Sequence, residues 1–219
     1  MQSKATATGR LMPSLPDIQW QNYVVYIFFV IVLGFFAVMI GDKGFLSVTN
    51  LFNIARTTAM ITVIAVAMTF IISAGELDLS VGSTTALAAL VCALVMQAGY
   101  AWPLAVVAAI ASGLAVGFLN GVFVTMIGIP SFLVTLGMMQ FIRGLDMRVT
   151  YTNPVSISNQ SFNSLFGSGN LFGVPSLLIW SLVIAVLGHV VLKYTGFGRE
   201  ILATGGNRMA AEYSGVKTR

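Results

Sequence analysis

Two carboxylates, Glu76 and Asp78, stand one residue apart in the run Ser73–Ser83 (SAGELDLSVGS), between two apolar stretches. Paired acids do general acid–base work when a nucleophile or a metal ligand stands beside them. Neither accompanies these two. The chain has no G-x-S-x-G or P-loop pattern and no His/Cys cluster. Its single histidine, His189, lies near the end of an apolar run beside Lys193, where an interfacial residue is commoner than a ligand or a proton relay. Asn159-Gln160-Ser161 matches a glycosylation sequon, but three residues carry little information. We therefore expect no catalytic residue, no metal and no cofactor. Two readings of the acids stay open. Gly75 and Gly82 permit a helix break, and Asp78 with Ser80 can cap the following helix at its positive end. Alternatively Gly75, Glu76, Asp78, Ser80 and Gly82 form a polar element lining a transport route.

The elements that position these residues follow from composition. Of 219 residues, 57% are hydrophobic and only 8% charged, and the mean hydropathy is +0.91. A soluble domain carries about 25% charged residues, so this chain must face lipid over much of its area. The single cysteine, Cys92, forms no intrachain disulfide. The net charge of +4 gathers at the two ends and forms no clustered basic face, which excludes nucleic acid as a partner.

A helical span needs about 20 mostly apolar residues. Six stretches are candidates: Tyr23–Ile40, Thr57–Ala74, Leu79–Ala98, Ala101–Ile127, Ser131–Val149 and Val174–Leu192. The second is preceded by Ser47–Arg56, expected as a short interfacial helix begun at Thr49 or Asn50. The fifth carries Arg143, Asp146 and Arg148: either Arg143 snorkels to the interface or lines a wet cavity, or the stretch has a broken or interfacial helix end. Thr150–Gly173 reads as the longest loop. The expected organisation is an all-α polytopic transmembrane bundle of about six spans. A cytoplasmic tail (1–22) precedes the bundle (23–192), and a polar, basic segment (193–219) follows it. Both basic ends belong on the cytoplasmic side, which an even number of crossings satisfies. No removable signal peptide is read at the N-terminus, and no internal repeat is found.

The fourth stretch holds Gly113, Gly117 and Gly121 on one helical face, with Asn120 beside them. Small residues at that spacing let helices approach closely, and Asn120 can hydrogen-bond across the contact. The face suits a bundle interior or a dimer equally. In the last segment, Asn207 can cap a short helix closed by Gly215, and Arg208 and Glu212 are spaced to pair along it.

Three motifs give the chain a resemblance to the inner-membrane permease subunits of bacterial ABC importers for ribose and related sugars. Ile72–Ser83 (ISAGELDLSVGS) is similar to the family's Asp-Leu-Ser-Val-Gly segment. Gly128–Gly144 (GIPSFLVTLGMMQFIRG) is similar to its Pro-containing Thr-Leu-Gly segment. Thr195–Gly215 (TGFGREILATGGNRMAAEYSG) is similar to its cytoplasmic segment. Order and spacing fit over nearly the whole chain beyond the N-terminal tail. The first motif alone also resembles branched-chain amino-acid permeases; the third favours the sugar branch. Ala74 stands where the family usually has a second glycine, and Glu76-Leu77 adds an acid beside Asp78. The chain ends where such permeases continue with further spans, so a truncated product or fragment is expected.

The resemblance implies a multi-pass protein of the bacterial inner membrane, forming the path for a monosaccharide such as ribose. It also implies partners: a cytoplasmic ATP-binding subunit, a periplasmic sugar-binding protein and a second permease subunit. Docking on the ATP-binding subunit is expected through Gly198, Arg199, Gly205, Gly206, Asn207, Ala210, Ala211 and Gly215. An ion-coupled carrier, an amino-acid-type ABC permease and a purely structural membrane protein are the alternatives.

Overall fold

The computed structural model describes residues 23–218, so the expected tail 1–22 lies outside the described residues. Helices fill all six expected apolar positions: α1 (Val24–Ile40), α2 (Val48–Ser73), α3 (Val81–Gln97), α4 (Trp102–Thr125), α5 (Ser131–Thr150) and α7 (Ser176–Tyr194). A seven-residue helix, α6 (Gln160–Phe166), and a two-stranded antiparallel hairpin, β1 (Asn170–Leu171) and β2 (Val174–Pro175), lie between α5 and α7. Two short helices follow, α8 (Gly196–Gly206) and α9 (Arg208–Tyr213). The chain divides into two compact units at Leu51/Phe52.

Among the described residues, four helices are long and apolar enough to cross a membrane: Val24–Lys43 (α1 with its 3₁₀ extension), α2, α4 and α7. The apolar α3 is shorter, at 17 residues. The charges of α5 do not break it; it runs continuously over 20 residues to Thr150. The reading of a broken end there is corrected: Arg143, Asp146 and Arg148 lower its apolarity without removing any backbone hydrogen bond. Arg148 instead sits over the Tyr151 ring at 5.5 Å.

The expected separate helix over Ser47–Arg56 is also corrected. Those residues form the first turns of a single 26-residue α2. Asn50, Asn53 and Arg56 dilute the hydrophobicity, but neither glycine nor proline interrupts the backbone there. Ser47 starts the helix, its Oγ accepting from Asn50 N–H at 3.3 Å.

The segment 150–173 is more ordered than a plain loop. Asn159 Oδ1 accepts from Phe162 N–H at 2.9 Å, so the sequon-like asparagine caps α6. Phe166 of α6 stacks on Trp180 of α7 with centroids 5.4 Å apart and meets Trp102 of α4 at 6.0 Å. Trp180 Nε1–H donates to Leu165 O at 3.0 Å. Indole rings with one polar end suit a membrane–water boundary. From α2, Arg56 Nη2 donates to Asn170 Oδ1 of the hairpin at 2.8 Å.

The interior is unlike that of a soluble protein. Most of its buried residues are small or polar, including Ala59, Ala93, Ala105, Ser80, Ser83 and Ser181, with Ile142 the largest buried apolar side chain. Large apolar residues such as Phe28, Leu114, Phe118 and Phe141 are exposed. Helices in lipid gain little by hiding apolar side chains from one another, and small residues let their backbones approach. On this basis α3 packs against α4 and α5, and α7 against α8.

Candidate functional site

α2 ends where Gly75 takes φ +82°. Glu76 N–H donates to Ile71 O at 3.1 Å and Gly75 N–H to Ile72 O at 2.9 Å, the paired bonds of a Schellman turn. A left-handed backbone of this kind favours glycine. The chain then runs outside any helix from Glu76 to Ser80, whose carbonyl accepts the first bond of α3 from Thr84 N–H at 2.8 Å. Backbone groups in such a break need partners from elsewhere.

α5 supplies them. Leu77 N–H donates to Ser131 Oγ at 3.3 Å, and Leu79 N–H donates to Thr135 Oγ1 at 3.1 Å. Ser131 and Thr135 lie four apart in the first turns of α5, hence on one face, so two hydroxyls reach alternate residues of the extended loop. Both belong to the Gly128–Gly144 motif, yet sequence reasoning gave neither a role. Their spacing at a helix start was the available signal.

Of the two readings of the acids, the capping one is not what the Asp78 side chain does. The N-cap position is Ser80, and its side chain makes no capping bond to α3. Asp78 Oδ1 instead accepts twice from Ser80, from N–H at 2.7 Å and from Oγ–H at 2.6 Å. Ser80 Oγ in turn accepts from Asn120 Nδ2–H of α4 at 3.0 Å. Ser80 is fully buried and Asn120 is 7% exposed. A chain of hydrogen bonds thus ties the loop acid to α4.

Two hollows open beside this chain. One of about 370 Å³ is bordered by Glu76, Asp78, Gly117, Asn120, Thr204 and Arg208. The other, about 420 Å³, runs along α2, α3 and α4 and shares Ile71, Asp78, Gly117 and Asn120 with the first. The expected close approach along the α4 glycines needs correcting within this chain. A Cβ on Gly113 would touch Thr84 Cγ2 at 4.0 Å, but at Gly117 and Gly121 it would meet nothing within 4 Å among the described residues. These two glycines leave space rather than contact. Gly82, in the first turn of α3, likewise has nothing within 4 Å.

The segment after α7 reaches the same loop. Thr195 links α7 to α8: its Oγ1–H donates to Val191 O at 2.5 Å, and Oγ1 accepts from Gly198 N–H at 3.2 Å. Gly198 is buried against the carbonyls of Val191 and Leu192. Phe197 stacks on Phe70 of α2 at 6.5 Å. At the other end of α8, Gly205 lies directly against the Ser73 carbonyl and the Ala74 backbone, leaving no room for a side chain. Arg199 and Gly206 are exposed.

Asn207 Oδ1 caps α9 by accepting from Ala210 N–H at 3.0 Å. The bonds Val216 N–H to Ala211 O and Gly215 N–H to Glu212 O, both 3.0 Å, close that helix. Arg208 Nε and Glu212 Oε1 stand 4.0 Å apart on its exposed side. Ala210 is exposed, but Ala211 is only 4% exposed. Of the two alanines expected in docking, only Ala210 is at the surface; past Gly215 the chain turns back to Ala211, whose carbonyl accepts from Val216 N–H. The large exposed residues of α9 are Met209 and Tyr213, the latter 91% exposed. His189, the lone histidine, meets the edge of the Tyr194 ring at 6.0 Å.

Comparison with known proteins adds a family. A family model described as "Branched-chain amino acid transport system / permease component" matches residues 50–219. The chain is 38% identical over 179 residues to the ribose import permease protein of Escherichia coli K12, covering 80% of this chain and 56% of that one. It is 36% identical to the L-arabinose ABC transporter permease protein of Azospirillum brasilense, over 78% of this chain and 50% of that one. It is 32% identical to the autoinducer 2 import system permease protein of Salmonella paratyphi B, over 81% and 51%. The chain thus spans about half the length of these relatives. No solved structure matches it.

Proposed function

The chain belongs to the branched-chain amino acid transport system / permease component family, and from that premise we propose that it forms part of the translocation pathway of an ATP-driven importer for a monosaccharide such as ribose. It is a multi-pass inner-membrane protein whose relatives are import permeases for ribose, L-arabinose and autoinducer 2. The observation that carries the reading is the loop Gly75–Ser80. Non-helical backbone between membrane helices is tolerated where it is buried in protein or lines a wet cavity. Here hydroxyls of α5 satisfy it on one side, and a hollow opens on the other.

Coupling is the second part of the proposal. Gly198–Gly215 is the docking element for a cytoplasmic ATP-binding subunit, and α9 presents Met209, Ala210 and Tyr213 to it. The short helix is capped at both ends, so it transmits force that a loose tail would absorb. The backbone contact of Gly205 with Ser73 and Ala74 carries that force to the loop. A periplasmic sugar-binding protein delivers substrate, and a second permease subunit completes the pathway. The chain itself does no hydrolysis.

Uptake of radiolabelled D-ribose and L-arabinose by a strain deleted for this gene tests the reading. Loss of uptake of one sugar, restored by the gene on a plasmid, supports it. Undiminished uptake of both contradicts it.

A further inference from the structure

We propose that Asn120 and Thr84 form a hydroxyl-recognising site for a small neutral polyol in the hollow along α2, α3 and α4, with Asp78 as its positioning residue. The inference rests on the permease reading above and names the solute chemistry of that pathway.

Hydrogen-bond polarity sets the starting point. Ser80 has one hydroxyl hydrogen, and it goes to Asp78 Oδ1 at 2.6 Å. Ser80 Oγ is then only an acceptor toward Asn120, so the amide must present its Nδ2–H to Ser80, as observed at 3.0 Å. The direction of the Asn120 amide, normally ambiguous, is thereby fixed by a carboxylate two bonds away. Its Oδ1 is left over. That oxygen is buried and has no hydrogen-bond partner among the described residues, on a residue only 7% exposed. Thr84 Oγ1, one helical turn beyond Ser80 on α3, is also buried without a partner among them.

Buried polar atoms almost always find partners, and leaving one unmatched is costly. Here two orphans belong to residues that line one hollow of about 420 Å³. That volume lies within the ~300–1,000 Å³ range of small-molecule sites. Asn120 Oδ1 requires a donor, and Thr84 Oγ1 takes either role. A solute hydroxyl both donates and accepts, so hydroxyls of one molecule can satisfy both. The rest of the lining, including Ala67, Ala88, Ala109, Ile110 and Val116, suits the C–H faces of a sugar.

Among the described residues Asp78 is the one charged residue lining this hollow, and its Oδ1 is already engaged by Ser80. No cation is present there to balance a solute carboxylate, so an amino acid is disfavoured. The site is a weak resting place on the path, and the buried orphan atoms are what a passing solute relieves.

The test uses the full transporter containing this chain, reconstituted in nanodiscs. Cys92 is replaced by alanine, and a reporter is placed in the hollow by Ala88→Cys. The reaction rate of that cysteine with a small methanethiosulfonate reagent is followed with and without D-ribose, and with L-leucine as the comparison. The site predicts that D-ribose slows the reaction and L-leucine does not. Thr84→Val removes a hydroxyl that makes no bond among the described residues, so protein abundance stays unchanged while the half-protecting ribose concentration rises about tenfold. Asn120→Leu abolishes protection if that variant folds; Thr84→Val decides the matter if it does not. An unreactive cysteine, a rate indifferent to D-ribose, or equal protection in Thr84→Val overturns the site. Sugar uptake that persists in the parent transporter then leaves the permease reading standing, so the two failures are separable.

Discussion

Gly205 of α8 and Gly75 of the α2–α3 loop meet backbone to backbone: a Cβ on Gly75 would stand 3.5 Å from Gly205 Cα. Two motifs separated by more than half the sequence are thereby joined where neither has a side chain. Any shift of α8 along its axis bears directly on the loop that holds Asp78.

That contact separates two adjacent glycines. A Cβ on Gly205 runs into the Ser73 carbonyl, whereas one on Gly206 has nothing within 4 Å. Overpacking a tight contact costs about 1–3 kcal/mol, and alanine is the better helix former by about 1 kcal/mol. Gly205→Ala should lower the melting temperature of the purified protein and cut uptake several-fold. Gly206→Ala should match or exceed wild type in both. Equal behaviour of the two variants would mean that α8 does not rest on the loop.

Asp78 can be probed by charge and by acceptor separately. Both Ser80 bonds go to Oδ1, and Asp78→Asn keeps an oxygen there while Asp78→Ala removes it. Hydrogen bonds to a charged acceptor are worth about 1.5–3 kcal/mol. Uptake should fall in the order wild type, Asn, Ala, and membrane abundance should fall much less. Parallel loss of abundance and uptake would reduce Asp78 to a structural anchor of the loop.

Gly117→Leu distinguishes space from contact. The small-residue spacing alone predicts failure of assembly, as in a close helix pair. The structure leaves Gly117 facing a hollow, so the added side chain should fill it. We expect normal abundance and a normal elution volume on size exclusion, with uptake reduced at least tenfold. A protein that no longer accumulates would place another helix or a second subunit against Gly117.

The proposed docking helix has its own variants. Ala210 is exposed while Ala211 is covered by the chain. Ala210→Trp should therefore leave insertion intact but release the ATP-binding subunit from detergent-extracted complexes, and Tyr213→Ala should weaken that association. Undiminished co-purification in both would move the docking site elsewhere.

The apolar runs made the six long helices legible, and Asn207 with Gly215 made α9 so. Less was legible where hydropathy and backbone continuity part company. Asn50, Asn53 and Arg56 look like a break by composition, yet α2 runs straight through them. The site was half visible. The acids and glycines of the loop stand out in sequence, but the groups that hold it are far away along the chain. Ser131 is 54 residues from Leu77, Thr135 is 56 from Leu79, and Asn120 is 40 from Ser80. A lone serine or threonine in a helix usually bonds its own preceding turn, as Thr62 does with Thr58 O at 2.9 Å. Thr135 makes the same kind of bond, to Ser131 O at 2.8 Å, and also accepts from the loop; only its place four residues after Ser131 at a helix start sets it apart from Thr62 in the sequence.

The source of energy is the most direct measure of the proposed function. Initial D-ribose uptake would be followed in cells expressing the complete transporter under two treatments. One depletes ATP while the proton gradient is maintained; the other collapses the gradient with an ionophore while ATP is held constant. An ATP-driven importer predicts that uptake stops in the first case and continues in the second. The reverse pattern, uptake that survives ATP depletion and collapses with the ionophore, would contradict it and make Asp78 a candidate for ion coupling instead.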